Sequence, residues 1–421
     1  MHATTLNRLS LLIFSISLIA SQQAVAQAGH LDSTFGNGGI VTTDFGDQNQ
    51  PSNMATANAV LIQPDGKILV CGGVPGSSDF PVPAVARYHT NGSLDKSFGT
   101  SGIATTPSIE DMPLTAIALQ TDGKIVASGS NYVVRYSPDG VLDSTFGSGG
   151  IVSLGNDFIG TTPTGVVVQP DGKILLADRY LLRFLSDGQS DTGFGTGGTA
   201  RTAGYPATGL ALFPNGKILV SSSFSGTSGF ISQYDSNGTL DTAFGIDGQV
   251  ASPGTAAGLV LLGTGDFLAA GSLTNNAVQP YAGAVASSFA VSRYLGAGVI
   301  DTSFGTNGGT VTSVPDFPIE VTSDLALEPA GDIVTLGTAN QTGRPVFALA
   351  RYTPTGQLDK TFGNDGTVVT AFGTSQNAPS VSANGLTIQS DGKIVVVGSY
   401  LIQVPYHGFD TAFKVLRYLS K

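Results

Sequence analysis

Cysteine, tryptophan and charge are scarce in this chain of 421 residues. It has a single cysteine, Cys71, no tryptophan, and only 12% charged residues. One cysteine excludes an internal disulfide, so packing must hold the fold together outside the cytoplasm. Because 41% of the residues are hydrophobic, the low charge does not indicate disorder, and 57 glycines favour a turn-rich, all-β protein.

Motifs that carry known chemistry are also missing. The chain has four histidines, and it contains no HExxH motif, no cysteine pair, no GxSxG nucleophile elbow and no phosphate-binding loop. Glycine-rich stretches such as 36–39 recur as turns and are poor evidence for a phosphate cradle. We therefore predict no cofactor and no catalytic residue, and we favour a protein that is not an enzyme.

The first 26 residues are typical of a secretory signal peptide. Arg8 precedes a short apolar run from Leu9 to Ala20, and residues 24–26 supply small side chains for a cleavage site. The run is too short to span a bilayer comfortably, and no cysteine follows it as a lipid anchor would require. We expect residues 1–26 to be removed and the mature protein to be secreted, periplasmic or at the cell surface, without membrane insertion.

The net charge of −11 disfavours partners that are themselves polyanions. Such a surface repels phosphate backbones and anionic lipid. No nucleic-acid partner is therefore predicted, and we expect a monomer that recognises something else.

One segment, here called the constant segment, recurs with rigid spacing. It reads Arg-Tyr, three residues, Gly, one residue, Leu-Asp, two residues, Phe-Gly, two residues, Gly. Its aspartates are Asp95, Asp143, Asp191, Asp241, Asp301 and Asp359. We predict that the arginine forms an ion pair with this aspartate, and that the aspartate closes a turn. Calcium is the alternative, but the second acidic position is Asn91 in one unit and Ala297 in another, which argues against a ring of metal sites.

A second segment, here called the hairpin segment, alternates with the first. It reads Gln-x-Asp-Gly-Lys between two apolar runs, as at 63–67, 120–124, 169–173 and 389–393. Two weaker copies, around Gly265 and Gly331, keep the apolar flanks. Asp-Gly between β-rich runs predicts a tight hairpin, because glycine readily adopts the positive φ of the turn. Each unit is therefore predicted to contain four strands.

Seven such units are expected to form a ring. The chain stops at Lys421, halfway through a constant segment, and residues 29–36 supply the other half. Repeats of four strands that end in register are typical of a β-propeller, and closure removes exposed sheet edges. The predicted fold is all-β: residues 27–421 form one domain, a seven-bladed β-propeller of four-stranded antiparallel blades whose ends meet. The strand after Gly39 is expected to be the outermost strand of the last blade.

The alternation of RYxxxGxLDxxFGxxG with QPDGKIxVxG resembles the bacterial delta-60 repeat family, a β-propeller-like repeat of secreted proteins. The resemblance covers essentially residues 28–421. It implies the fold and export, but no defined reaction or ligand. Gln233 in place of arginine and Ser190 in place of leucine depart from the pattern.

Length varies between units only in two kinds of connection, which should emerge on one face of the ring. We call this the variable-loop face, and the opposite side, with the hairpin turns and constant segments, the hairpin face. Because variable loops on a rigid scaffold commonly recognise ligands, we predict a non-catalytic module that binds an extracellular or cell-surface protein or glycan. The candidate contact residues are Tyr205, Tyr281, Tyr406, His407, Asp178, Arg179 and Arg344.

The alternative function is a propeller hydrolase or lyase that acts on a polysaccharide or a related substrate. Such an enzyme should gather two or more carboxylates, or one carboxylate with His407, around a single concave pocket. Scattered carboxylates on that face would favour binding.

Overall fold

The computed structural model describes residues 27–48, 54–77, 80–155, 163–202, 206–224, 228–274, 287–341, 343–373, 379–404 and 408–421. Within these ranges 28 β-strands form seven four-stranded antiparallel blades, as predicted. Blades 5 and 6 are further joined by one backbone pair between Ser287 and Ile319. Among the described residues there is no helix of the length and hydrophobicity needed to cross a membrane.

The strands are assigned here to blades in chain order. Blades 1 and 2 comprise β2 (Thr56–Ile62), β3 (Ile68–Pro75), β4 (Pro81–Tyr88), β5 (Ile103–Thr105), β6 (Ala116–Leu119), β7 (Ile125–Gly129), β8 (Tyr132–Tyr136) and β9 (Ile151–Ser153). Blades 3 and 4 comprise β10 (Gly165–Val168), β11 (Ile174–Ala177), β12 (Tyr180–Phe184), β13 (Thr199–Arg201), β14 (Ala207–Leu212), β15 (Ile218–Phe224), β16 (Ser228–Tyr234) and β17 (Gln249–Ala251).

The remaining strands form blades 5 to 7. Blade 5 comprises β18 (Thr255–Leu261), β19 (Phe267–Thr274), β20 (Ser287–Tyr294) and β21 (Gly309–Thr312). Blade 6 comprises β22 (Ile319–Leu327), β23 (Ile333–Gln341), β24 (Arg344–Tyr352) and β25 (Thr367–Thr370). Blade 7 comprises β26 (Ser380–Ile388), β27 (Ile394–Val404), β28 (Gly408–Tyr418) and, from the start of the domain, β1 (Ile40–Gln48).

The ring closes through blade 7. Strand β1 pairs antiparallel with β28, which confirms that the N-terminal strand is outermost in the last blade. The amide of Gly29 donates to the carbonyl of Leu419 at 2.7 Å, so the two ends of the domain meet. The first strand of each of the other blades, and β26 in blade 7, lies innermost, and these seven strands contact one another in turn around the axis.

Apolar side chains fill the spaces between blades. The middle strands are buried on both faces, as in β3 and β4, because each blade packs against two neighbours. Phe98 and Phe146 of the constant segments are fully buried, as anchors of the turn should be. The weak hairpin segments also fold regularly: the amides of Gly265 and Gly331 close the same turns as the stronger copies.

Candidate functional site

Ion pairs within the constant segments hold the hairpin face together. Each of six arginines pairs with the aspartate that the spacing predicted, so this prediction is confirmed. The closest nitrogen–oxygen distances are 2.8 Å for Arg87–Asp95, 2.9 Å for Arg135–Asp143, 2.7 Å for Arg183–Asp191, 2.5 Å for Arg293–Asp301, 2.7 Å for Arg351–Asp359 and 2.8 Å for Arg417–Asp32. The last pair joins the two ends of the domain.

The same guanidinium groups reach the next blade. Nη1 of Arg87 donates to the carbonyl of Pro138 at 2.6 Å, and Nη1 of Arg293 donates to that of Pro354 at 3.1 Å. Equivalent bonds join Arg135 to Ser186, Arg183 to Ser236, Arg351 to Ser420 and Arg417 to Thr90. Each of these arginines also lies over the phenylalanine ring of its constant segment, 4.5 to 5.2 Å from the centroid. These contacts bind one blade to the next.

The constant aspartates are turn residues, as predicted. Oδ1 of Asp95 accepts the amide of Ser97 at 3.1 Å and its hydroxyl at 2.6 Å. Burial opposes ionisation of this carboxyl, but the bonds from Ser97 and the nearby Lys67 and Arg87 outweigh it and lower the pKa of Asp95. The pKa is lowered likewise for Asp32, Asp143, Asp191, Asp241, Asp301 and Asp359. In the described ranges no group of three His, Cys, Asp or Glu side chains could hold a metal ion.

In blade 4 the lysine of the hairpin segment takes the place of the arginine. Gln233 stands where the other units have arginine, and the Lys217 ammonium forms the ion pair with Asp241. Lys217 also donates to Oε1 of Gln233 at 3.3 Å. The charge on Asp241 is therefore matched, although the cation comes from the hairpin segment.

The candidate contact residues on the variable-loop face fall into two groups. Asp178 and Arg179 form the β11–β12 turn of blade 3, where Asp178 is only 2% exposed and Arg179 is exposed. Arg344 is exposed at the start of β24 in blade 6. Because Asp178 and Arg179 belong to blade 3, the structure does not bring the three residues together. The others, namely Tyr205, Tyr281, Tyr406 and His407, lie outside the described residues.

A cavity of about 370 Å³ lies on the propeller axis, where the seven inner strands begin. Because each inner strand runs towards its hairpin turn, this cavity lies towards the variable-loop face. At one position all the units but one contribute a hydroxyl or amide side chain: Asn58, Thr115, Thr164, Thr208, Ala257, Ser323 and Asn384. We call this set the polar ring.

Most of the polar ring is bonded from blade to blade. Five of its side chains donate to a backbone carbonyl of the following blade. The bonds run from Asn58 to Leu114 (2.7 Å), Thr115 to Pro163 (2.5 Å), Thr164 to Ala207 (2.8 Å), Ser323 to Ala383 (2.5 Å) and Asn384 to Ala57 (2.7 Å). The hydroxyl of Thr208 bonds with that of Ser221 in its own blade instead, and Ala257 has no polar group. The hydrogen bonds of the polar ring from blade to blade are therefore missing at two adjacent junctions, between blades 4 and 5 and between blades 5 and 6.

Asp324 is the one ionisable residue among those lining this cavity. The equivalent position is glycine or alanine in the other units, because it faces the next inner strand closely: a Cβ on Gly165 would lie 2.5 Å from Cβ of Leu210. In blade 6 the Asp324 carboxylate lies close enough to the next inner strand, β26, for its Oδ2 to accept a hydrogen bond from the amide of Leu386 at 2.8 Å. Burial raises the pKa of Asp324 to about 6, although the amides of Leu386 and Leu325 oppose the shift.

A second cavity, of about 500 Å³, lies on the hairpin face between blades 7 and 1. Its carboxylates, Asp65 and Asp391, each pair with the lysine of their own hairpin turn, Lys67 at 3.5 Å and Lys393 at 2.6 Å. Neither cavity therefore gathers two free carboxylates of the kind that a polysaccharide hydrolase would require.

Sequence reasoning missed both the polar ring and Asp324. The signal was present in the start of each hairpin segment, where an alignment of the units places one aspartate among glycines and alanines. It was overlooked because blade 6 has a weak hairpin segment, and because only the closed ring shows that these positions share one cavity.

Comparison with protein families supports a β-propeller repeat protein. Residues 63–98, 120–146, 214–244, 329–362 and 389–420 match the family described as Domain of unknown function (DUF5122) beta-propeller. The matched segments lie in blades 1, 2, 4, 6 and 7. No curated protein matches the chain.

Solved structures similar to this chain include proteins of different kinds. A protein of unknown function from Bacteroides caccae has 15% identity and a TM-score of 0.37, covering 71% of this chain and 98% of its own. A gluconolactonase from Xanthomonas campestris has 13% identity and a TM-score of 0.37, covering 82% and 97%. The Nup133 β-propeller domain of Vanderwaltozyma polyspora has 9% identity and a TM-score of 0.42, covering 90% and 97%. At these values the similarity concerns the fold alone.

Proposed function

We propose that this protein is an exported, monomeric and non-catalytic binding module built from delta-60 repeats, which recognises an extracellular or cell-surface protein or glycan. The contact surface is the variable-loop face. Support for export comes from the signal-like segment at residues 1–26, and support for the repeat type from the constant and hairpin segments.

The observation that carries the proposal is the contrast between the two faces. The hairpin face repeats the same arginine–aspartate contacts from blade to blade, and these contacts are already satisfied within the protein. The variable-loop face differs between units and opens onto the axial cavity with its polar ring. Rigid scaffolds commonly carry recognition on the loops that vary.

The distribution of carboxylates favours binding over hydrolysis. Within the described part of the axial cavity, Asp324 is the single carboxylate, whereas glycoside hydrolysis ordinarily requires a pair. The single carboxylate therefore disfavours the polysaccharide hydrolase or lyase.

The experiment is a binding screen of the mature protein against arrayed glycans and cell-surface proteins. For the ligand found, changing Tyr281 and Tyr406 to alanine should weaken binding by roughly thirtyfold or more, the effect of losing aromatic anchors. The melting temperature should stay nearly unchanged, because both tyrosines lie outside the repeated constant and hairpin segments.

Lysines of the hairpin face supply the control. Lys124→Ala and Lys173→Ala should leave binding unaltered, since these side chains pair with aspartates on the opposite face. If the lysine changes abolish binding and the tyrosine changes do not, the contact surface has been assigned to the wrong face.

A further inference from the structure

We propose that the axial cavity binds an amino sugar, with the Asp324 carboxylate as counter-ion to its ammonium group and the polar ring as acceptor for its hydroxyls. The inference rests on the proposed binding function and names the ligand chemistry for the centre of the variable-loop face.

The polar ring presents acceptors to the cavity. A serine or threonine hydroxyl has one proton, and in Thr115, Thr164 and Ser323 that proton is donated to a carbonyl of the next blade. The amides of Asn58 and Asn384 are likewise directed to backbone carbonyls, so their Oδ1 atoms remain as acceptors. A ligand rich in O–H and N–H donors is the complement of such a ring.

The charge in the cavity is unmatched by any ion pair among the described residues. The strands packed against β22 are β18, β19, β20, β23 and β26, and the charged side chain that they carry is Arg293, which pairs with Asp301. Glu320 is the other acidic residue of β22. The ammonium group of a ligand can donate three hydrogen bonds, and it would supply a cationic partner for the Asp324 carboxylate.

The size and lining of the cavity favour a sugar over a lysine side chain. A volume of about 370 Å³ is in the range of small-molecule sites. A lysine would bring an apolar stem into a ring of hydroxyl and amide groups, whereas a hexosamine brings hydroxyls all round.

The test compares glucosamine, N-acetylglucosamine and glucose by isothermal titration calorimetry at pH 7. Glucosamine should bind at least about tenfold more tightly than either neutral sugar, as expected for a charge-assisted bond. Affinity for glucosamine should fall about tenfold between pH 7 and pH 5, because a carboxyl whose pKa is about 6 becomes protonated over that range.

Asp324→Asn should lose this preference and its pH dependence. Asp316→Asn is the matched control, because it removes the same charge from an exposed site at the variable-loop face of the same blade. It should behave as wild type. Circular dichroism checks that both variants are folded.

Equal binding of the three sugars, or an Asp324→Asn variant that keeps the preference, overturns the inference. Tighter binding of Nα-acetyl-lysinamide than of glucosamine overturns the assignment to an amino sugar. If the whole protein still captures a ligand on the arrays while these sugars fail, the cavity is excluded and the proposed binding function stands.

Discussion

Glu328 is a buried acid at a position where other units have a neutral side chain. Gln120 and Gln389 stand at this place in blades 2 and 7, where each Oε1 accepts a bond from its arginine at 3.4 Å. Glu328 is 4% exposed and its Oε1 lies 3.6 Å from Nη1 of Arg351. Burial raises the pKa of Glu328 to about 7; Arg351 opposes the shift and Asp332 adds to it.

Replacement of this acid by glutamine should make the protein more stable at high pH. Because the folded-state pKa lies above the unfolded value, the stability that Glu328 contributes is complete below about pH 4.5 and is lost as the pH rises through about 7. Glu328→Gln should therefore raise the free energy of unfolding by about 1–2 kcal/mol at pH 8, with the gain vanishing near pH 5. Urea unfolding at the two pH values measures it.

A matched control for that change is Glu110→Gln, at an exposed site. It should leave the free energy of unfolding near that of wild type at both pH values. The same stabilisation of Glu328→Gln at pH 5 and pH 8 would contradict the titration as its cause.

At the scale of the blade, the lysine that replaces an arginine in blade 4 should matter more than its equivalents. Lys217 is the cation on Asp241, whereas Asp191 in blade 3 is held by Arg183 as well as Lys173. Lys217→Ala should lower the free energy of unfolding by about 1–2 kcal/mol, because it leaves the half-buried Asp241 carboxylate without its cation. Lys173→Ala should cost less than about 1 kcal/mol, because Arg183 still pairs with Asp191. Similar losses in unfolding by urea, which does not screen charges, would contradict the idea that Lys217 has taken over the role of the arginine.

The constant segment also shows how far the sequence predicts the blade. The fixed offset between arginine and aspartate was enough to predict the ion pair. The hydrogen bond from each arginine to the next blade could not be predicted from the sequence. Its acceptor is a backbone carbonyl, which any residue can supply, as Pro138 and Thr90 do. The role of Lys217 could not be predicted either, since most hairpin segments contain a lysine. Only the replacement of arginine by Gln233 makes Lys217 the cation that pairs with Asp241.

At the scale of the whole molecule, the ring depends on the N-terminal strand. Deletion of residues 27–48 would leave the edge of β28 unpaired and remove Asp32, the partner of Arg417. We expect the melting temperature to fall by roughly 10 °C or more and light scattering to reveal aggregation, because an unpaired edge templates pairing between chains.

Moving the segment instead of deleting it supplies the control. Residues 27–48 placed after Lys421 through a short linker should restore a melting temperature near that of wild type, because the two ends already meet at Gly29 and Leu419. A rearranged protein as unstable as the deletion would show that β1 must enter the ring from its own end.

The number of blades and the closure through β1 could be predicted because both depend on repeat spacing, which the sequence displays directly. The axial cavity could not, because seven strands that are far apart in the chain create it. The role of Asp324 depends on Leu386 of the next blade, and no local pattern connects the two.

Closure through β1 also sets the order in which the protein can be completed. Among the described strands β1 is synthesised first, and its partner β28 is synthesised last. Blades 1 to 6 are made of consecutive strands and have short loops to close, whereas blade 7 needs contacts between residues almost a full chain length apart, which form slowly. We therefore expect the closure of the ring to be a late event of folding, with β1 unpaired until β28 has been synthesised.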